Sequence, residues 1–167
     1  VKFSFKLINL KSSIANDEII VIPANTKRFL VAKITPLNAR EGNQFSYTTT
    51  FNFGNAAQET FDEDYLYSLP FGKGKTHLIY QGYYGKFSHQ KDAALDFDMK
   101  IGDPVYAARE GTVVLTEDSN LQGCPKISCA KFNNKVLIMH NDGTFADYAH
   151  LKYKGVAVKK GDEIKKG

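Results

Sequence analysis

The sequence predicts a mainly β protein, and three observations predict it. Apolar and polar residues alternate with the period of two that marks a strand. No stretch sustains a 3.6-residue period over a dozen positions. The apolar runs are bounded by Pro, Gly, Asn or Asp, which favour turns because they set or tolerate the backbone angles that turns need.

Taken in order, Val1, Phe3, Phe5 and Leu7 alternate with Lys2, Ser4 and Lys6. Phe45, Tyr47, Phe51 and Phe53 alternate with Ser46, Thr48, Thr50 and Asn52. Both stretches read as half-buried strands, because successive side chains point to opposite faces of a sheet. The shorter apolar runs at 19–22, 29–34, 111–115 and 136–139 read as more fully buried strands. Residues 55–65 are the one stretch that fits a short helix. The apolar faces of the N-terminal third pack most simply as a small sheet or sandwich. Pro70, Gly72 and Gly74 then interrupt the patterning within 68–75. The predicted organisation is therefore an N-terminal β module, residues 1–68, and a second domain, residues 69–167.

Composition narrows the function classes. The 167 residues are 43% hydrophobic and 24% charged, which fits a globular protein and excludes a disordered or collagen-like chain. The net charge of +4 is too mild and too dispersed for a nucleic-acid groove. No run approaches the roughly eighteen consecutive apolar residues of a membrane helix. Nothing at the start reads as a signal peptide, and an opening Val1 with a closing Gly167 suggests a piece of a longer protein. Cys124 and Cys129, with four residues between them, fit either a local disulfide clipping a surface loop or two free thiols. In the chain-entropy picture so short a loop gains only about 2 kcal/mol.

All four histidines, His77, His89, His140 and His150, lie in the second domain, so acid-base or metal chemistry is expected there. Alternation over 94–99 turns Leu95, Phe97 and Met99 to the core and Asp96 and Asp98 to the opposite face. His89 precedes them on a loop that follows Gly82 and Gly85 and can fold back beside Asp96. A neutral imidazole and a carboxylate so placed can serve one divalent metal. The same spacing also fits an exposed loop histidine and a solvated carboxylate. Farther on, Asp142-Gly143 between two alternating arms signals a two-residue hairpin. That register pairs His140 with Phe145 and Lys135 with His150, so His140 and His150 point to opposite sides. One of them at most can join His89 and Asp96, and spacing does not choose between them. Tyr83, Tyr84 and Phe87 fit the wall of a groove or part of a core.

The run HQKDAALDFDMKIGDPVYAAREGTVV, with NNKVLIMHNDGTFADYAHL and VAVKKGDEIKKG after it, resembles the lysostaphin/LytM-type zinc endopeptidases, bacterial enzymes that cut peptide cross-links of peptidoglycan. The resemblance covers about 69–167 and implies a LytM-like antiparallel β-sheet or barrel-sandwich domain. It implies Zn2+ bound by His89 and Asp96, the latter in the family's hydrophobic-Asp-Phe context as Leu95-Asp96-Phe97. The family's catalytic Tyr-x-His-Leu histidine maps onto His150, and His140 falls where the family has no role. Gly102-Asp-Pro-Val and Gly161-Asp-Glu-Ile resemble turns of the biotinyl/lipoyl-type barrel, read here as strand-to-strand turns because Lys165 and Lys166 lack the hairpin-tip context of a modified lysine.

The chain departs from the family in one respect. Its members continue into a His-x-His motif carrying the third zinc ligand, and no histidine follows His150. A catalytic zinc has three protein ligands and an open position, so the domain is expected to be incomplete at its C-terminus and the chain as given inactive. The implied function is a zinc metalloendopeptidase acting on peptidoglycan peptide outside the bacterial cytoplasm, with no nucleic-acid partner and no transmembrane segment. The alternative is a non-catalytic LytM-like protein that binds cell wall or regulates another hydrolase.

Overall fold

The structure is a computed structural model, and it describes residues 1–55, 58, 60–123 and 127–167. The chain divides into two compact units, Val1–Thr60 and Phe61–Gly167. Residues 61–70 are tied to the second unit. The Ser68 N–H donates to the Ala108 carbonyl at 2.8 Å, and the Tyr106 N–H donates to the Pro70 carbonyl at 3.1 Å.

In the first unit β1 (Lys2–Ile8), β2 (Leu10–Ser12), β3 (Ile34–Pro36) and β4 (Gln44–Thr50) form two separate two-stranded antiparallel sheets, β1 with β4 and β2 with β3. The register sets Phe5 opposite Tyr47 and Leu7 opposite Phe45, so the aromatic residues share one face and Lys2, Ser4 and Lys6 share the other with Thr50, Thr48 and Ser46. The Phe3, Phe5 and Tyr47 rings lie with centroids 5.8–6.4 Å apart. The alternation is therefore realised, but as a ribbon and not as a sandwich: every residue of β4 is exposed. The runs at 19–22 and 29–34 are not buried strands either. Val21, Phe29 and Leu30 are exposed, and Ile34 alone of the second run enters a strand. A two-stranded ribbon has no second layer to bury them against.

The second unit holds β5 (Ile79–Gln81), β6 (Asp96–Phe97), β7 (Gly111–Glu117), β8 (Lys135–Met139), β9 (Phe145–Tyr148) and β10 (Glu163–Ile164). Four of them form an antiparallel sheet in the order β10-β7-β8-β9, and β5 pairs with β6 apart from it. The molecule is mainly β, with one 3-10 turn among the described residues, Ile127–Phe132, that the periodicity did not predict. Among the described residues of 55–65 there is no helix, while 56, 57 and 59 lie outside those described. Cys129 lies in the 3-10 turn and is disulfide-bonded; Cys124, the other half of the expected bridge, lies outside the described residues.

The core sits on one face of the four-stranded sheet. Val113, Val136 and Ile138 are buried, and Ala107, Tyr148, Leu151, Val156, Val158 and Ile164 pack against them. Burying each of the three contributes about 1.5–3 kcal/mol. Two turns of the same build flank this sheet. In Lys100–Asp103 and in Lys159–Asp162 the Asp carboxylate accepts from the Lys N–H, at 3.0 and 2.9 Å, and the Asp N–H returns to the Lys carbonyl, at 3.0 and 3.1 Å. Gly102 and Gly161 both stand at φ 95°, which a residue with a Cβ rarely adopts. The two Gly-Asp phrases are turns, as their sequence context indicates.

The β8–β9 hairpin corrects the expected register by one residue. Met139 pairs with Phe145 and Val136 with Tyr148. The His140 N–H donates to the Thr144 carbonyl at 2.8 Å and the Gly143 N–H returns to the His140 carbonyl at 3.0 Å, with Gly143 at φ 82°. This is a three-residue loop ending in a left-handed glycine, the next most favoured hairpin after the two-residue form. Asp142 selects it: its Oδ1 accepts from the Thr144 N–H at 3.1 Å and from the Thr144 hydroxyl at 2.7 Å, holding Asp142 inside the loop.

Candidate metal centre

The antiparallel pairing of β5 with β6 brings Gln81 opposite Asp96, through a register shift between Ile79 and Gln81. The chain then loops through Tyr83, Tyr84 and Phe87, all exposed, and returns His89 to Asp96. The His89 Nε2 lies 3.3 Å from the Asp96 Oδ1, with the imidazole nearly buried and the carboxylate about one third exposed. The His89 Nδ1 lies 3.3 Å from the Gly82 carbonyl, which can only accept, so Nδ1 carries a proton. In the neutral ring Nε2 then presents its lone pair toward Asp96.

That separation suits a metal. Two ligand atoms about 2.0–2.1 Å from a tetrahedral zinc ion stand about 3.3–3.4 Å apart. A histidine whose second nitrogen donates to a backbone carbonyl has the support usual for a zinc-bound imidazole. Among the described residues no group of three or more His, Cys, Asp or Glu side chains converges, and His89 and Asp96 stand as a pair. Asp98, expected on the same face as Asp96, lies beyond the two-residue β6, exposed, with its N–H on the Leu78 carbonyl.

The other histidines occupy different settings. His150 is exposed, at φ 60°, and no hydrogen bond or ion pair joins it to His89 or Asp96. It is held from both sides. The Tyr148 hydroxyl accepts the Ala108 N–H at 2.7 Å, and the Leu151 N–H donates to the Asn134 carbonyl at 3.0 Å. Buried Asn134 also donates to the Leu151 carbonyl at 3.1 Å and both donates to and accepts from the Asn120 backbone, an anchor that no spacing rule suggested. His77 makes a ring contact with Phe71 and places its Nδ1 3.0 Å from the Asp98 carbonyl. His140 is 2% exposed, with Nδ1 2.7 Å from the Glu110 carbonyl and no hydrogen-bond partner for Nε2.

Beside His140 stands a charged cluster that sequence reading also missed. The Arg109 guanidinium, 6% exposed, donates to the Asp142 carboxylate at 2.8 Å and to the Tyr67 hydroxyl at 3.2 Å. It lies 4.0 Å above the Tyr65 ring centroid. The Tyr65 hydroxyl donates to Glu110 at 2.6 Å, and this bond to a carboxylate raises its pKa to about 12. Burial alone would raise the Asp142 carboxyl; the bonds from Thr144, then that from Arg109, outweigh it and hold the group well below the usual carboxylate range.

Residues 90–167 match the sequence model of Peptidase family M23. That part of the chain belongs to this family. The match opens one residue after His89 and contains Asp96 and His150. No curated protein and no solved structure matched the chain. The M23 region thus holds the four-stranded sheet and one member of the pair, while His89 and the Gln81 loop arrive from the segment just before it.

Proposed function

We propose that the protein carrying this chain is a zinc-dependent endopeptidase that cuts peptide cross-links of peptidoglycan, outside the bacterial cytoplasm. The observation that carries this is the His89–Asp96 pair, spaced for a tetrahedral ion at the edge of an M23 peptidase region. His89 and Asp96 would hold the metal through Nε2 and Oδ1. When bound, zinc supplies Lewis acidity toward a peptide carbonyl and lowers the pKa of water.

The remaining roles belong to the chain's own side chains. His150, exposed and fixed between two anchored neighbours, is assigned the transfer of a proton at its imidazole as the peptide bond breaks, a role worth about 10²- to 10⁴-fold in rate. Tyr83, Tyr84 and Phe87 are exposed beside His89 and offer a face for an extended peptide. They are not core.

The test combines elemental analysis with digestion of purified peptidoglycan by the protein that carries this chain. His89→Ala and Asp96→Ala are expected to lose stoichiometric zinc and the release of new amino groups. His150→Ala is expected to keep zinc and lose turnover by at least a hundredfold. Full zinc in either ligand variant removes that residue from the site. Zinc binding with intact peptidoglycan in every case replaces the enzyme with a wall-binding or regulatory protein.

A further inference from the structure

The Gln81 side chain makes four hydrogen bonds, and all of them converge on the residues that frame the His89–Asp96 pair. Its Oε1 accepts the N–H groups of Phe87 at 3.1 Å and Ser88 at 3.2 Å. Its Nε2 donates to the Ser88 hydroxyl at 2.8 Å and to the Asp96 Oδ2 at 3.0 Å. The orientation of the amide is forced, since a backbone N–H requires an oxygen and a carboxylate requires a donor. One side chain therefore ties the residue before His89 to the strand that carries Asp96.

We infer that Gln81 is a positioning residue for the metal pair: it occupies Oδ2 of Asp96, leaving Oδ1 as the single metal-binding oxygen, and seats His89 by capping the two preceding N–H groups. Three independent features agree. The register shift between Ile79 and Gln81 is what sets Gln81 opposite Asp96. The pair atom 3.3 Å from His89 is Oδ1, the oxygen Gln81 leaves free. Gly85 leaves the room: a Cβ there would stand 2.4 Å from the Gln81 Cγ and 2.9 Å from its Oε1.

A carboxylate with one oxygen engaged by a donor binds a metal through the other, and loss of such an outer partner typically costs 10- to 100-fold in metal affinity. The inference rests on the zinc reading above, and its experiment separates the two. Zn2+ affinity of the protein that carries this chain is measured by following the His89 ring nitrogens in an NMR titration, for the parent, Asp96→Ala, Gln81→Met and Gly85→Ala. Gln81→Met keeps the length of the side chain and removes its hydrogen bonds; Gly85→Ala keeps every bonding group and displaces the side chain.

Both are expected to weaken zinc by 10- to 100-fold. With Co2+ in place of Zn2+ both should show a weaker visible band, the mark of a coordination number raised by bidentate Asp96. Far-UV circular dichroism identifies which variants are folded, and either folded variant suffices. Parent-like affinity and Co2+ spectrum in a folded variant, with Asp96→Ala impaired, overturn the role of Gln81 and leave the zinc site standing. Equal affinity of parent and Asp96→Ala overturns the zinc site itself.

Discussion

At the scale of single residues, the Arg109–Asp142 pair shows how one carboxylate shapes a loop and also sets a pH dependence. Asp142 orders the hairpin turn through Thr144 and accepts from Arg109, so its carboxyl is depressed in the folded chain. A depressed carboxyl stabilises the fold above its unfolded pKa of about 3.9, and that stability is lost as the pH falls toward the lower folded value. Asp142→Asn is expected to lower stability at pH 7 by about 1–2 kcal/mol, a figure reduced for the solvent at the hairpin tip. It should also flatten the stability curve below about pH 4. Denaturant unfolding between pH 2 and pH 7 checks both, and an unchanged acid limb would remove Asp142 from this role.

At the scale of elements, the β7–β8 pairing depends on a close approach that only glycine allows. A Cβ on Gly111 would stand 2.4 Å from the Met139 carbonyl oxygen and 2.8 Å from the Ile138 Cγ2. Backbone on one side and a core methyl on the other leave no flexible atom to yield. Gly111→Ala is therefore expected to cost about 2–3 kcal/mol by overpacking. Urea unfolding of the variant measures it, and a loss under 0.5 kcal/mol, a bound about half the smallest usual overpacking cost, would show that the strands separate freely at that point.

At the scale of the whole molecule, the family match and the folded unit have different limits. The match opens at residue 90, whereas the compact unit opens at Phe61. The intervening residues supply His89 to its pair with Asp96, Gln81 to the bond on the Asp96 carboxylate, and Tyr65 and Tyr67 to Arg109. Lys166 adds to this strap by donating to the Leu66 carbonyl at 3.1 Å. A fragment of residues 61–167 is expected to melt at a higher temperature than one of residues 69–167, which lacks both tyrosines. Calorimetry of the two decides it, and equal melting temperatures would place the strap outside the cooperative unit.

The sequence by itself determined the β class, the residues that share a face in β1 and β4, and the two Gly-Asp turns. Each depends on neighbours a few positions apart, which is the range over which side-chain alternation and turn chemistry act. The His89–Asp96 pairing came from the family resemblance, because the spacing of a glycine-containing loop and an alternating strand also fits an exposed histidine and a solvated carboxylate. Tertiary structure decided the rest. Whether an apolar run is buried depends on a second layer, and 19–22 and 29–34 lie in a unit of two-stranded ribbons that provides none. The hairpin register turned on one carboxylate binding Thr144, which favours the three-residue loop over the commoner two-residue one. Gln81, Asn134 and Arg109 act on partners 14 to 42 residues away, through bonds that no local period encodes.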